Sequence, residues 1–195
     1  MKTVILLSGG IDSTVLAYHW KDQGNELHGL SVDYGQSHQR ELLSAAFVAS
    51  QVCESYECID VPPIFAPNAL TGEGGSVVVP ARNLVLLTLA SVYATSIDAD
   101  DVLIGIVKED AERFPDCHPE FVCRFIECFG LALGDESTNQ PITRAPFIDK
   151  TKAEVVRLGN DLGVHWSKTW SCYGGGVEPC GECLACEERA KVFDV

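Results

Sequence analysis

The sequence predicts an α/β fold: a parallel sheet with helices packed on both faces. Three observations point there. Short apolar runs rich in β-branched residues alternate with segments of helical periodicity. A glycine-rich turn joins the first such run to the first helical segment. Proline and glycine gather between these segments rather than inside them.

The elements follow in order. Residues 3–7 form an apolar run closed by Gly9-Gly10, the pattern of a buried strand. Residues 13–22 carry Val15, Leu16, Tyr18, His19 and Trp20 at helical spacing, with Gly24 just past the end. Residues 27–32 read as a second strand and 40–53 as a helix with Leu42, Leu43, Ala46, Phe47 and Val48 in register. A third strand at 56–61 is closed by Pro62-Pro63, and 62–80 is a Pro- and Gly-rich loop. Residues 83–95 form an apolar helix expected to be buried on most sides, followed by a strand at 102–106. Helices are expected at 119–133 and at 152–162, the latter ended by Gly163. The segment from Trp166 leaves no room for a long helix before a cluster of cysteines. In such sheets ligands bind beyond the carboxyl ends of the strands, so the loops after the first, second and fourth strands are where chemistry is expected.

Composition narrows the function classes. The chain has 195 residues, 46% apolar and 22% charged. That is near one globular domain and excludes a disordered tail, a collagen and a coiled coil. The longest apolar stretches, such as 84–90, fall short of the ~20 residues a membrane helix needs. Ser8-Gly9-Gly10 follows the first apolar run at once, without a cleavage-site pattern, so no signal peptide is read and the cytoplasm is expected. Fourteen cations against 28 acids give a net charge of −14. Such a surface repels a phosphate backbone, which disfavours a stable nucleic-acid complex and favours a small molecule or a protein as partner.

Ser8-Gly9-Gly10-Ile11-Asp12-Ser13-Thr14 is the first chemical signal. Two glycines permit a tight turn, and the helix N-terminus behind them offers free N–H groups to an anion. Ser8, Ser13 and Thr14 add hydroxyls, and Asp12 can hold a cation near phosphates or cap the helix. No Gly-Lys-Ser/Thr follows, so this is no Walker loop, and the third glycine of a dinucleotide fingerprint is absent. An ordinary strand-to-helix turn is the plain alternative. The whole string resembles the loop of N-type ATP pyrophosphatases, which adenylate a carbonyl or carboxyl oxygen and grip the departing pyrophosphate.

Cys172, Cys180, Cys183 and Cys186 crowd one short stretch. Seven residues separate Cys172 from Cys180 and two separate each later pair; four thiolates so spaced suit tetrahedral zinc, with an iron–sulfur cluster or redox thiols as alternatives. With no ligand position left open, such a zinc would be structural. The other five cysteines, Cys53, Cys58, Cys117, Cys123 and Cys128, read as small core residues. The chain divides at this stage into an α/β domain, 1–165, and a zinc-binding C-terminal segment, 166–195.

Taken together the two ends are specific. Ser8 to Thr14, Asp33-Tyr34-Gly35-Gln36 with His38, Ala66-Pro67-Asn68-Ala69-Leu70-Thr71, and Val79-Pro80 with Arg82-Asn83 occur in order. Pro115-Asp116-Cys117 with Glu120-Phe121, and Pro146 with Lys152-Ala153-Glu154, follow. Thr169-Trp170-Ser171-Cys172-Tyr173 then leads to Pro179-Cys180-Gly181-Glu182-Cys183, Cys186 and Arg189. Over nearly its whole length the chain resembles the QueC family of 7-cyano-7-deazaguanine synthases. The resemblance implies a Rossmann-like sheet, and ATP, Mg2+ and Zn2+ as the groups bound. It implies 7-carboxy-7-deazaguanine as substrate, adenylated on its carboxylate. Ammonia then gives an amide, which a second activation dehydrates to the nitrile. It also implies a homodimer.

Residue roles follow from placing that chemistry on the chain. Ser8, Gly9, Gly10, Asp12, Ser13 and Thr14 would bind ATP. Asp33, Arg82 and Lys152 would be catalytic. Asp110 and Asp116 would pair with the heterocycle's N–H edge, and Phe114 would stack on it. Plain alternatives stand beside these: Lys152 as an exposed first-turn residue, Asp116 as a cap, Asp33 as an Asx turn and His38 as solvated.

The sequence departs from the pattern in places. Glu112-Arg113-Phe114 stands where the family carries Ser-Gly-Tyr, and Lys108 stands where a Glu is common. Ala81 replaces a common Gly, the loop from Thr71 to Pro80 is shorter than usual, and little chain follows Arg189. The departures fall on the acceptor side, so a second outcome stays open. In QueC-like antiviral-defence enzymes the activated deazaguanine is joined to a protein N-terminal amine. A zinc-ribbon module binding tRNA is a third reading, opposed by the charge and by the phosphate-type loop.

Overall fold

A computed structural model describes residues 1–65, 67–72, 76–134 and 140–193. Ala66 of the block read above and residues 73–75 of the shortened loop lie outside the described residues.

Five strands, β1 (Lys2–Leu6), β2 (Glu26–Asp33), β3 (Ser55–Asp60), β4 (Asp101–Leu103) and β5 (Ile142–Arg144), form one sheet in the order β3-β2-β1-β4-β5. Every pairing is parallel. The strand order reverses between β1 and β4, which makes their carboxyl ends the topological switch point. On one face lie α1 (Ile11–Asp22), α2 (Arg40–Val52) and α6 (Lys152–Asp161), burying Val15, Leu16, Ala45, Val48 and Val155 against Ile5 and Leu103. On the other lie α3 (Arg82–Ser96) and α5 (Pro119–Leu133), burying Leu87, Ala90, Val122 and Phe125 against Val4, Leu30 and Val102. No helix among the described residues is long and apolar enough to cross a membrane.

Several expectations are corrected. The helix expected to be buried on most sides, α3, buries one face and leaves Leu84 and Val92 exposed. The fourth strand is Asp101–Leu103 rather than 102–106: the Ile104 N–H makes a last bond to the Arg144 carbonyl, and the chain beyond it lines the crevice. Two further helices carry no clear periodicity and escaped the sequence pattern: α4 (Lys108–Arg113), a single short stretch, and α7 (Leu184–Phe193), which starts inside the cysteine cluster. β5, three residues between loops, was also missed. Cys58, Cys123 and Cys128 are exposed rather than core residues, since β3 is an edge strand and α5 turns both of its cysteines to solvent.

Ala81 caps α3 in the left-handed region, at φ 60°. A Cβ there costs about 1–2 kcal/mol, partly offset by the greater unfolded freedom of glycine. Ala81→Gly is therefore expected to stabilise the protein by about 1 kcal/mol, read as a rise in thermal midpoint; a fall would contradict the strain.

Candidate active site

The crevice is built where the loops after β1 and β4 meet. β1 ends at Leu6 and the chain turns through Gly9, at φ 75°, into α1. A Cβ on Gly9 would lie 2.3 Å from the Glu41 carbonyl oxygen, so only glycine lets the loop seat on the first turn of α2. The loop is tied internally: Ser8 N–H donates to Ser13 Oγ at 3.3 Å, the two serine hydroxyls are 3.0 Å apart, and Gly10 N–H donates to Ser8 Oγ at 3.3 Å. From the other side, a Cβ on Gly105 would meet Ser13 N at 2.9 Å, so the β4 loop closes tightly on the start of α1.

A cleft of about 260 Å³ opens at this point. Of the expected ATP-binding residues, Ser8, Gly10, Asp12 and Ser13 line it, while Gly9 and Thr14 support it from behind. Arg82, Lys152, Asp110 and Phe114 also line it. Asp33 and Asp116 do not. Asp33 Oδ1 accepts from Gly35 N–H and Gln39 Nε2, an Asx turn. Asp116 Oδ2 accepts from Asn83 N–H at 2.9 Å and so caps α3 from the neighbouring turn. The turn and the cap thus take up the two carboxylates, and the structure does not bring Asp33 and Asp116 together with the other expected residues.

The charged centre of the cleft is Lys152, at the first position of α6. Its Nζ lies 3.4 Å from Asp12 Oδ2 and 3.2 Å from Glu188 Oε2, and its backbone N–H donates to the Glu109 carboxylate at 3.1 Å. It is well buried rather than exposed on a first turn. Burial alone would depress the ammonium; Asp12, Asp110 and Glu188 outweigh it and hold Lys152 above its ordinary value. Burial pushes Asp12 up to about 6 against the pull of Lys152, and burial also raises Asp110. Asp12 Oδ1 is buried without a hydrogen-bond partner among the described residues. A carboxylate left with an orphaned oxygen beside a phosphate-type loop is chemically suited to a divalent cation. Across the cleft, Arg82 stands beside the Tyr34 hydroxyl, which burial pushes up to about 12.

Sequence reasoning missed the contributions of the tail. Trp170 N–H donates to the Gly9 carbonyl at 2.9 Å, and Ser37 Oγ donates to the Tyr173 carbonyl at 3.2 Å. Tyr173, Glu188 and Arg189 line the cleft. Arg189 donates to Thr169 Oγ1 at 2.8 Å, Ser171 Oγ at 3.3 Å and the Trp166 carbonyl at 2.8 Å, fastening α7 to the segment before the cysteines. Arg189 was within the quoted resemblance; Glu188, two positions past Cys186 on the same helix, carried no signal of its own.

The four cysteine sulfurs lie within 4.8 Å of one another, with Cys172 and Cys180 at 3.5 Å and Cys180 and Cys186 at 3.9 Å. Thiolates about 2.3 Å from one tetrahedral ion stand about 3.8 Å apart, so this set fits a single metal ion. Gly174 and Cys180 N–H groups point at Cys172 Sγ, at 3.2 and 3.3 Å. The N–H groups of Glu182 and Cys183 draw the Cys180 thiol down to about 7.

A parallel sheet with a Ser-Gly-Gly-x-Asp-Ser loop at its switch point is the arrangement of a nucleotide-using α/β enzyme. The chain belongs to the QueC family, described as queuosine biosynthesis protein QueC, which it matches over residues 2–195, and is of the 7-cyano-7-deazaguanine synthase type. Proteins named 7-cyano-7-deazaguanine synthase bear this out. One from Archaeoglobus fulgidus is 41% identical over 209 residues, covering 99% of this chain and 86% of its own. One from Nostoc sp. is 39% identical over 212 residues, covering 99% and 93%. Among solved structures, the U34-tRNA thiolase NcsA from Methanococcus maripaludis superposes with a TM-score of 0.56 at 18% identity, over all of this chain and 64% of that one. An NMN synthetase from Francisella tularensis gives 0.55 at 17%, over 98% and 76%. At such identities these two structures speak to the fold alone.

Proposed function

We propose that the enzyme uses ATP to adenylate the carboxylate of 7-carboxy-7-deazaguanine and lets ammonia displace AMP. A second ATP-dependent round then dehydrates the resulting amide to 7-cyano-7-deazaguanine. The observation that carries this reading is the pairing of Asp12 and Lys152 across the phosphate-type loop. Amide N–H groups at the start of α1 receive the phosphates, and Lys152 neutralises charge as pyrophosphate separates. Asp12 is the residue that would hold Mg2+, which supplies charge neutralisation on the triphosphate. Arg82 faces the acyl side, and Phe114 offers a ring to the heterocycle. Cys172, Cys180, Cys183 and Cys186 would hold a structural Zn2+, supported by their compact sulfur set. A four-iron cluster would spread its ligands farther apart. On the same basis residues 1–165 form the catalytic body and 166–195 a metal-held segment packed on it. Reduced thiols fit a cytoplasmic protein.

One observation favours a second acceptor. Arg113 and Phe114 line both the cleft and an adjoining open surface groove that runs along Ala111, Glu112, His118 and Arg124. A nucleophile larger than ammonia has a route in from that side, such as the N-terminal amine of a protein.

The test is mass spectrometry of products from Mg-ATP and 7-carboxy-7-deazaguanine, with and without ammonium. Nitrile formed only with ammonium is the expected result. AMP without nitrile, together with a deazaguanine mass on a protein N-terminus, would establish the second acceptor. No AMP under any condition would overturn the activation reading.

A further inference from the structure

We propose that His38 is the general base that relieves the attacking amine of its proton, with Glu41 as its positioning residue. The inference rests on the activation reading above and adds a residue to it.

For His38 the plain alternative is a solvated side chain. It is instead 3% exposed and lines the cleft at the start of α2. Its Nε2 lies 3.2 Å from Glu41 Oε2. The other carboxylate oxygen, Oε1, accepts from Gln36 Nε2 at 3.0 Å. Gln36 is itself fully buried and fixed by its neighbours: its Oε1 accepts from Tyr34 N–H at 2.9 Å, and its Nε2 also donates to the Val32 carbonyl at 3.3 Å. A carboxylate only accepts, so Nε2 carries a proton, and in the neutral imidazole the lone pair falls on Nδ1. That Nδ1 is buried and has no hydrogen-bond partner among the described residues. Leaving such a buried acceptor unmatched is unfavourable. Three groups in series, Gln36, Glu41 and His38, thus hold one basic nitrogen without a protein partner beside the loop that receives ATP.

The proximity is direct. The Glu41 carbonyl packs where a Gly9 side chain would be, and the His38 ring stands 5.9 Å from the ring of Tyr173, another cleft residue. At neutral pH the acceptor is largely ammonium, which has no lone pair. In the proposed step Nδ1 takes one proton from ammonium, which frees the nitrogen lone pair to form the C–N bond; the second proton, shed as the amide forms, passes to the phosphate of the departing AMP. The C–O bond to AMP breaks, and AMP leaves with the electron pair. Glu41 stabilises the imidazolium, as a carboxylate does in other carboxylate–histidine pairs.

The experiment compares two nucleophiles. The readout is the ratio of acyl product to carboxylate-dependent pyrophosphate exchange, with ammonium or with hydroxylamine, which is largely unprotonated at neutral pH. In His38→Ala the ammonium ratio is expected to fall about a hundredfold or more, and the hydroxylamine ratio by less than about tenfold. Glu41→Gln keeps the side-chain size and is expected to show the same selective loss, of about tenfold or more, even if His38→Ala folds poorly. An unchanged ammonium ratio, or equal losses with both nucleophiles in both variants, would overturn the inference. A wild-type enzyme without carboxylate-dependent exchange would overturn the activation reading, and this inference with it.

Discussion

Asp12→Asn is expected to reduce carboxylate-dependent pyrophosphate exchange about a thousandfold, while making the ligand-free protein more stable above pH 6. The two effects share one cause. Burial lifts the Asp12 carboxyl to about 6 even though Lys152 pulls it down. The folded state therefore binds more protons than the unfolded one between the ordinary value of 3.8 and about 6. A raised acid of this kind stabilises the fold at low pH, and that stability is lost as pH rises through this window. The shift of about two units corresponds to about 3 kcal/mol. Asparagine carries no charge to desolvate, although Lys152 loses one of its partners, so the net gain is expected to be about 1–3 kcal/mol at pH 8 and close to zero at pH 4. Thermal unfolding of both proteins at the two pH values measures it. A difference that does not grow with pH, or exchange that survives the substitution, would contradict this role for Asp12.

Loss of the bound metal is the second large effect. The wild-type chain is expected to carry one zinc, and Cys186→Ser to carry almost none, by elemental analysis. Cys186 is buried at the first turn of α7 and fixes that helix; Glu188 and Arg189 follow it on the same helix and both line the cleft. Without a metal, Glu188 is expected to lose its contacts to Lys152 and Arg113, and Arg189 those to Thr169 and Ser171. Pyrophosphate exchange is expected to drop at least a hundredfold, with a large part of the sheet's helical signal retained, because the core on both sheet faces is made chiefly by residues before 166. A metal-free chain with full exchange would separate the tail from the chemistry. Iron in place of zinc would correct the metal.

Much of this was legible in the residues because local patterns carried it. The β-branched runs before Gly9 and Asp33 and the Gly24 and Gly163 stops each act over a few positions. The phosphate-type loop and the cysteine spacing are local in the same sense. What stayed hidden depends on distance. β5 has three residues and is a strand only because β4 offers it an edge. Asp33 and Asp116 have the right chemistry and sit near the right strand ends, yet each carboxylate is taken up by a turn or a cap. Lys152 is drawn inward by partners contributed from α1 and α7, which no window around Lys152 contains. His38 is buried by Glu41 in its own turn and by Tyr173 from the far end of the chain.

The bond from Trp170 to Gly9, and that from Ser37 to Tyr173 across 136 positions, set the order in which the enzyme can come alive. A ribosome delivers the loop first and its closing residues last, at about 5–20 residues per second. During that interval the nascent α/β body has its phosphate loop but lacks Tyr173, Glu188, Arg189 and the metal ligands. Contacts of such long separation also form slowly. Activity is therefore expected late in synthesis, once the last segment has folded back onto the loop. A chain interrupted before Trp170 is expected to lack pyrophosphate exchange, because Tyr173, Glu188 and Arg189 are missing from the cleft.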